Sequence, residues 1–187
     1  VGNMNADWQM GWTNNFSYKD FTLSFLINGR IGGKVLSMTE SFLDGYGLSQ
    51  RSANARLNAE AKGIYADKVY GDNVLVVQLN DGSGRVVPVE AYYQAVGGVA
   101  PQDIERYLYS GTNFRLRELS FGYTFRDLFG ANKNLNLSFI ARNLFFLYKD
   151  APVDPDVSLS TGTGLSAFEV FNMPSSRSFG FSLNVNF

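Results

Sequence analysis

Five stretches of this 187-residue chain alternate between apolar and polar residues with period two, the signature of strands that show different surfaces on their two sides. The last ten residues display it best: Phe179, Phe181, Leu183, Val185 and Phe187 alternate with Ser178, Gly180, Ser182, Asn184 and Asn186. Upstream, Leu135, Leu137, Phe139 and Ala141 alternate with Asn136, Ser138, Ile140 and Arg142. Leu119, Phe121, Tyr123 and Phe125 alternate with Glu118, Ser120, Gly122 and Thr124, and Phe21, Leu23, Phe25 and Ile27 with Thr22, Ser24, Leu26 and Asn28. Near the start, Trp8, Met10, Trp12, Phe16 and Tyr18 alternate with Gln9, Gly11, Thr13, Asn15 and Ser17, and Asn14 breaks the apolar row. The pattern predicts strands over residues 8–18, 21–36, 114–126, 135–148 and 177–187. Segments of about ten residues cross a bilayer when tilted.

The connections alternate in length. Lys19-Asp20 and residues 128–134 are tight turns, whereas 37–113 and 149–176 are long. Outer-membrane barrels have short periplasmic turns and long extracellular loops. With the last strand running inward, both short turns fall on the periplasmic side and both long loops fall outside. The first loop is expected to hold structure of its own: a helix over 52–62, a hairpin of 74–79 with 85–89 about the turn 80–84, and a short helix over 101–108. Asp72-Asn73 and Asn80-Asp81-Gly82 read as turns.

A soluble β-sandwich also alternates, with its apolar side inward. Two features favour an apolar side that looks at hydrocarbon. The polar sides carry mostly Ser, Thr, Asn, Gly and Gln, and aromatics gather at strand ends (Trp8, Trp12, Tyr18, Phe125, Phe145, Phe146, Tyr148, Phe187), as in interfacial girdles. Arg115 and Arg117 share the parity of Leu119 and Phe121, which puts both at the outer rim where their stems can snorkel. A β-bulge near Glu118 that swaps their facing is the alternative. Five strands cannot close a barrel, and open edges are forbidden in hydrocarbon, so the expected fold is all-β: antiparallel strands forming the C-terminal part of a larger transmembrane barrel.

Composition narrows the chemistry. There is no His and no Cys, which removes the usual general base, the Ser-His-Asp triad, thiolate catalysis, disulfides and Cys- or His-ligated metals. Sixteen Lys and Arg against 17 Asp and Glu leave no basic surplus for phosphate backbones, so no nucleic-acid partner is expected. No run is long and apolar enough for a transmembrane helix, and residues 1–5 do not begin a signal peptide.

Several segments carry a family resemblance. They are Gly2-Asn3-Met4-Asn5-Ala6-Asp7-Trp8 with Gly11-Trp12-Thr13-Asn14-Asn15 and Tyr18-Lys19-Asp20-Phe21; the run from Asn113 through Arg115, Arg117 and Leu119 to Tyr123; Arg142-Asn143-Leu144-Phe145; Asp154-Pro155-Asp156; and Met173-Pro174-Ser175-Ser176-Arg177-Ser178-Phe179. In this order they resemble the C-terminal end of a TonB-dependent outer-membrane transporter of the SusC/RagA type. Met4 stands where the family has Pro, the turn after Phe125 lacks a Pro, and residues 36–99 are outside the resemblance. The resemblance implies a cell outer membrane location in a Gram-negative bacterium. It also implies contact with outer-membrane lipid, a SusD-like surface lipoprotein over the long loops, and uptake of oligosaccharides or peptides. TonB coupling would run through an N-terminal plug that these residues do not include. It implies, too, that Phe187 is the signal read by the barrel-assembly machinery.

Candidate site residues follow. Tyr92, Tyr93, Tyr107 and Tyr109 sit in the first long loop; the resemblance implies that they stack on sugar rings or contact a lipoprotein lid, and otherwise they pack the loop. Glu118 and Arg142 face the lumen by parity and can pair across the wall. Asp150, Asp154 and Asp156 are the nearest thing to a cation site, but Asp-Pro is common turn chemistry and no EF-hand spacing is present, so no metal and no cofactor are expected. No pair of carboxylates is spaced for acid–base catalysis, and Gly32-Gly33-Lys34 is no P-loop, so an enzyme is not expected. A barrel that displays loops and transports nothing is the alternative to an importer.

Overall fold

In a computed structural model the described residues are 2–61, 76–79, 85–127, 133–157 and 167–186. In chain order they form β1 (Trp8–Tyr18), β2 (Phe21–Ile31), β3 (Lys34–Ser37), α1 (Met38–Gly45), α2 (Gln50–Ala61), β4 (Val76–Gln78), β5 (Val86–Pro88) and α3 (Val89–Val96). A 3-10 turn (Ile104–Tyr107), β6 (Leu108–Ser110), β7 (Asn113–Phe125), β8 (Asn134–Lys149), β9 (Phe168–Glu169) and β10 (Ser178–Asn186) follow. Of the described residues 49% are strand and 21% helix, so the all-β expectation holds for the antiparallel sheet and needs correcting for the helices of the first long segment. The described residues divide into two compact units: those of 36–61, 76–79, 85–109 and 168–171, and those of 2–35, 110–127, 133–157, 167 and 172–186.

The second unit is one antiparallel five-stranded sheet in the order β1-β2-β7-β8-β10. Its register is a consequence of the alternation. Phe16, Leu23, Phe121, Phe139 and Phe181 form one row across all five strands; Ser17, Thr22, Gly122, Ser138 and Ser182 form the next, on the opposite side. Gly122 is required in that polar row: a Cβ there would lie 2.6 Å from Thr22 Oγ1 and 2.8 Å from Ser138 Oγ. Tyr18 pairs with Phe21 across the two-residue turn Lys19-Asp20, in which Lys19 takes φ 54°. The sheet is open, with β1 and β10 as its edges. The expected second strand, 21–36, ends earlier, because Gly32 and Gly33 take φ 79° and 76° and break the ladder before β3.

The apolar side is exposed. Phe181 is 78% accessible, Phe179 63%, Trp12 58%, Phe121 48% and Leu137 40%. No second sheet covers this side among the described residues, although ring pairs such as Phe139–Phe181, 5.4 Å between centroids, tie neighbouring strands together.

One break in regularity sets the site. Ile27 pairs with Leu116 and the adjacent Leu26 with Glu118, so Arg117 is an extra residue in β7. Opposite, Phe145 pairs with Leu116 and Arg142 with Glu118, and Asn143 absorbs the mismatch at φ 52°, a left-handed conformation asparagine tolerates. Leu116 therefore continues the apolar row, while Arg115 joins the row of Asn28 on the polar side. The parity that placed Arg115 and Arg117 on the apolar side at the rim is overturned, and the bulge is the reason.

The first unit packs α2 against α3 through Ala59, Val89 and Tyr93, with Ala55, Tyr92 and Val96 around them. The expected helix at 52–62 is α2, and β4 pairs with β5 as the expected hairpin, whose turn lies outside the described residues. The helix expected over 101–108 is only the turn 104–107, since Leu108 already begins β6. Helices α1 and α3 are additional. At the end of α1 the backbone of Gly97 and Gly98 lies directly on Gly45: a Cβ on Gly97 would come within 2.5 Å of the Gly45 nitrogen. Gly98 N–H donates to Ser41 O at 2.7 Å, and Ser41 Oγ donates back to Gly98 O at 2.8 Å.

Candidate functional site

The bulge brings Arg115 to the centre of a charged cluster on the polar side of the sheet. Its side chain is 4% exposed, and its guanidinium lies 3.3 Å from Asp154 Oδ2 and 3.3 Å from Asp156 Oδ2. The carbon of that guanidinium also sits 4.3 Å from the centre of the Phe146 ring, a cation–π contact. Ser175 Oγ accepts from Arg115 and donates to Asp154. Arg117 Nη2 reaches Asp156 at 3.3 Å, and its Nη1 donates to Asn143 Oδ1 at 3.0 Å. Thus the Asp154-Pro155-Asp156 and Pro174-Ser175 segments are both fastened to the strand residue that the bulge turned inward.

Asp154 sits in the interior of this cluster. Burial opposes its charge, but the Ser175 hydroxyl, the backbone N–H groups of Asp156 and Ser175 and the Arg115 charge outweigh that cost and hold its pKa below the ordinary 3.8. A carboxylate with a depressed folded pKa stabilises fully above its unfolded value and loses that contribution as pH falls through the folded one. Unfolding free energy measured from pH 6 to pH 2 is therefore expected to fall more steeply for the natural protein than for Asp154→Asn. Parallel curves would mean that Asp154 contributes no such linkage.

Asp150, Asp154 and Asp156 do not converge on a cation site. Asp150 accepts from the Ser110 N–H at 3.2 Å, the other two carboxylates are taken up by arginines, and no group of three metal-ligating acids is found among the described residues. Glu118 and Arg142 lie side by side on the polar side, 2.9 Å between Oε2 and Nε, both substantially exposed, so their pairing adds little stability. Beside the Arg115 cluster, on the side toward β1, a cavity of about 450 Å3 is lined by Gln9, Gly11, Asn28, Arg30, Asn113, Arg117 and Asp156, among others. Ser175, Arg30 and Asn143 were not singled out from sequence; a charged residue at an even, polar-side position of β2 is the signal that points to Arg30.

In the first unit Tyr93 and Tyr107 are buried, and Tyr92 and Tyr109 are half-buried and take part in hydrogen bonds. Tyr107 is fully buried and donates to Asp44 Oδ2 at 3.0 Å; burial first, then the charge of Asp44 and the bond to it, push its phenol pKa up. Arg51 lies 3.3 Å from Asp44 and 2.8 Å from Glu40, and donates to the Tyr109 hydroxyl at 3.4 Å. Tyr93 is 8% exposed in the small core. Tyr92 meets it edge-on and accepts from Arg106 at 2.8 Å. The packing alternative therefore describes Tyr93 and Tyr107, which have almost no surface to offer a ligand. Phe187 lies outside the described residues. Neither a family model nor a curated protein matches this chain.

Proposed function

We propose that the five-stranded sheet is part of the wall of a transmembrane β-barrel, belonging to a TonB-dependent importer of the SusC/RagA type in the outer membrane. The importer takes up oligosaccharides or peptides, and a SusD-like lipoprotein meets the long segments between strands. The observation that carries the membrane part is the accessible apolar side: aromatic and aliphatic residues on every strand, with Ser, Thr, Asn and paired charges on the other side. Soluble monomers rarely expose so large an apolar surface, and in a sandwich these residues would be its core. The open edges β1 and β10 require further strands in a bilayer, which is consistent with a larger barrel. The transport part rests on the ordered motifs that resemble the family.

The test uses the full-length protein in its own cell envelope. Expected are recovery in the outer-membrane fraction and oligosaccharide or peptide uptake that stops when TonB is deleted. Outer-membrane recovery with no uptake would favour a display barrel. A protein that stays in solution without detergent would defeat both.

A further inference from the structure

Arg30 is a guanidinium that the ion-pair cluster does not use. It lines the cavity with Gln9, Gly11, Asn28, Arg117 and Asp156. Three guanidiniums, those of Arg30, Arg115 and Arg117, stand against the two carboxylates of Asp154 and Asp156, so this corner of the polar side keeps one positive charge in surplus. Arg30 forms no ion pair among the described residues. Its Nη2 donates to the Met4 carbonyl at 3.0 Å, and its buried Nε has no partner among the described residues. A guanidinium offers five N–H donors in a fork shaped for an oxyanion, and Arg30 has used one of them.

The rest of the lining suits hydroxyl groups. Gln9 and Asn28 each both donate and accept. The space is open because residue 11 has no side chain: Gly11 pairs with Asn28, and a Cβ built on it would lie 3.6 Å from Asn28 Oδ1, an ordinary contact. The volume is within the range of small-ligand sites, about 300–1,000 Å3.

We propose that this cavity is a subsite for an anionic sugar, one ring carrying a single oxyanion, either a carboxylate or a sulfate ester. Arg30 supplies the unpaired charge, Arg117 flanks it, and Gln9 and Asn28 hydrogen-bond the ring hydroxyls. A polar lining with a net positive charge fits such a ring better than it fits peptide side chains. The assignment rests on the importer reading and narrows it from oligosaccharides in general to acidic ones.

Isothermal titration of the detergent-solubilised full-length protein tests it, with trigalacturonate, galactose 6-sulfate and neutral galactotriose as probes. Trigalacturonate or the sulfate is expected to bind at least about tenfold more tightly than galactotriose, and the one that does identifies the oxyanion. The preference should weaken with added NaCl. Arg30→Met is expected to remove it, a loss of about ten- to a hundredfold in affinity. Gly11→Leu, at a position whose backbone accepts a Cβ, is expected to block binding by filling the space. No preference for the charged probes, or a preference that survives both variants, overturns the assignment. Binding in detergent does not need transport. TonB-dependent uptake of neutral sugars or peptides without charge preference would sink only the subsite, whereas absence of TonB-dependent uptake of any oligosaccharide or peptide would count against the importer.

Discussion

Phe181→Arg is expected to destabilise the full-length protein by about 2–4 kcal/mol when it is folded into phosphatidylcholine vesicles and unfolded with denaturant. Phe181 lies mid-strand in β10, on the row shared with Phe139, Phe121, Leu23 and Phe16, and is 78% accessible. In water, replacing so exposed a side chain changes stability by no more than about 0.5 kcal/mol. In hydrocarbon the same replacement places a guanidinium in the lipid. The size of the effect therefore reports the solvent that this side of the sheet meets. Ser182→Arg, one residue on and facing the polar side, is the internal control and is expected to stay within about 1 kcal/mol. Equal effects, or the reverse order, would show that the apolar side does not look at lipid.

Arg115→Met is expected to cost about 3–5 kcal/mol, because it leaves Asp154 charged and buried without its counter-ion. Both side chains are nearly inaccessible, 4% and 6%, so solvent screens little of that loss. Arg115→Lys should recover only part of it, since a single ammonium cannot reach Asp154, Asp156 and Ser175 together as the guanidinium does. Adding Asp154→Asn to Arg115→Met is expected to restore at least half of the lost stability, because the unpaired charge is then gone. Amide exchange at Asp156 and Ser175, whose N–H groups donate to Asp154, should quicken in the single variant. A loss below about 1 kcal/mol would mean that the cluster is incidental to the fold.

The five strands of the sheet were legible because each carries its own record of facing: Phe181 between Gly180 and Ser182 already says that the two sides differ. The cluster at Arg115 was not, because facing beyond Glu118 depends on a register shift, and a shift is a property of two paired strands rather than of one. Helix α1 carries a local signal in its first turn. Ser37 and Glu40 have capping-box spacing, and Ser37 Oγ does accept from the Glu40 N–H. Helix α3 likewise repeats Val89, Tyr92, Tyr93 and Val96 at helical intervals. The tyrosines were visible as candidates, but Tyr93 and Tyr107 are decided by burial, which brings Asp44 to Tyr107 across a sequence separation of 63 residues.

The amino-acid sequence by itself determined where the five strands of the sheet lie, which residues share a side as far as the bulge, and that the chain holds no His or Cys, because period, propensity and composition are local quantities. Only the tertiary structure decided that the apolar side is exposed and Arg30 without a carboxylate among the described residues, and that Arg115 turns to the polar side. Those depend on which strands and segments meet, and each is settled by contacts between residues far apart in the chain.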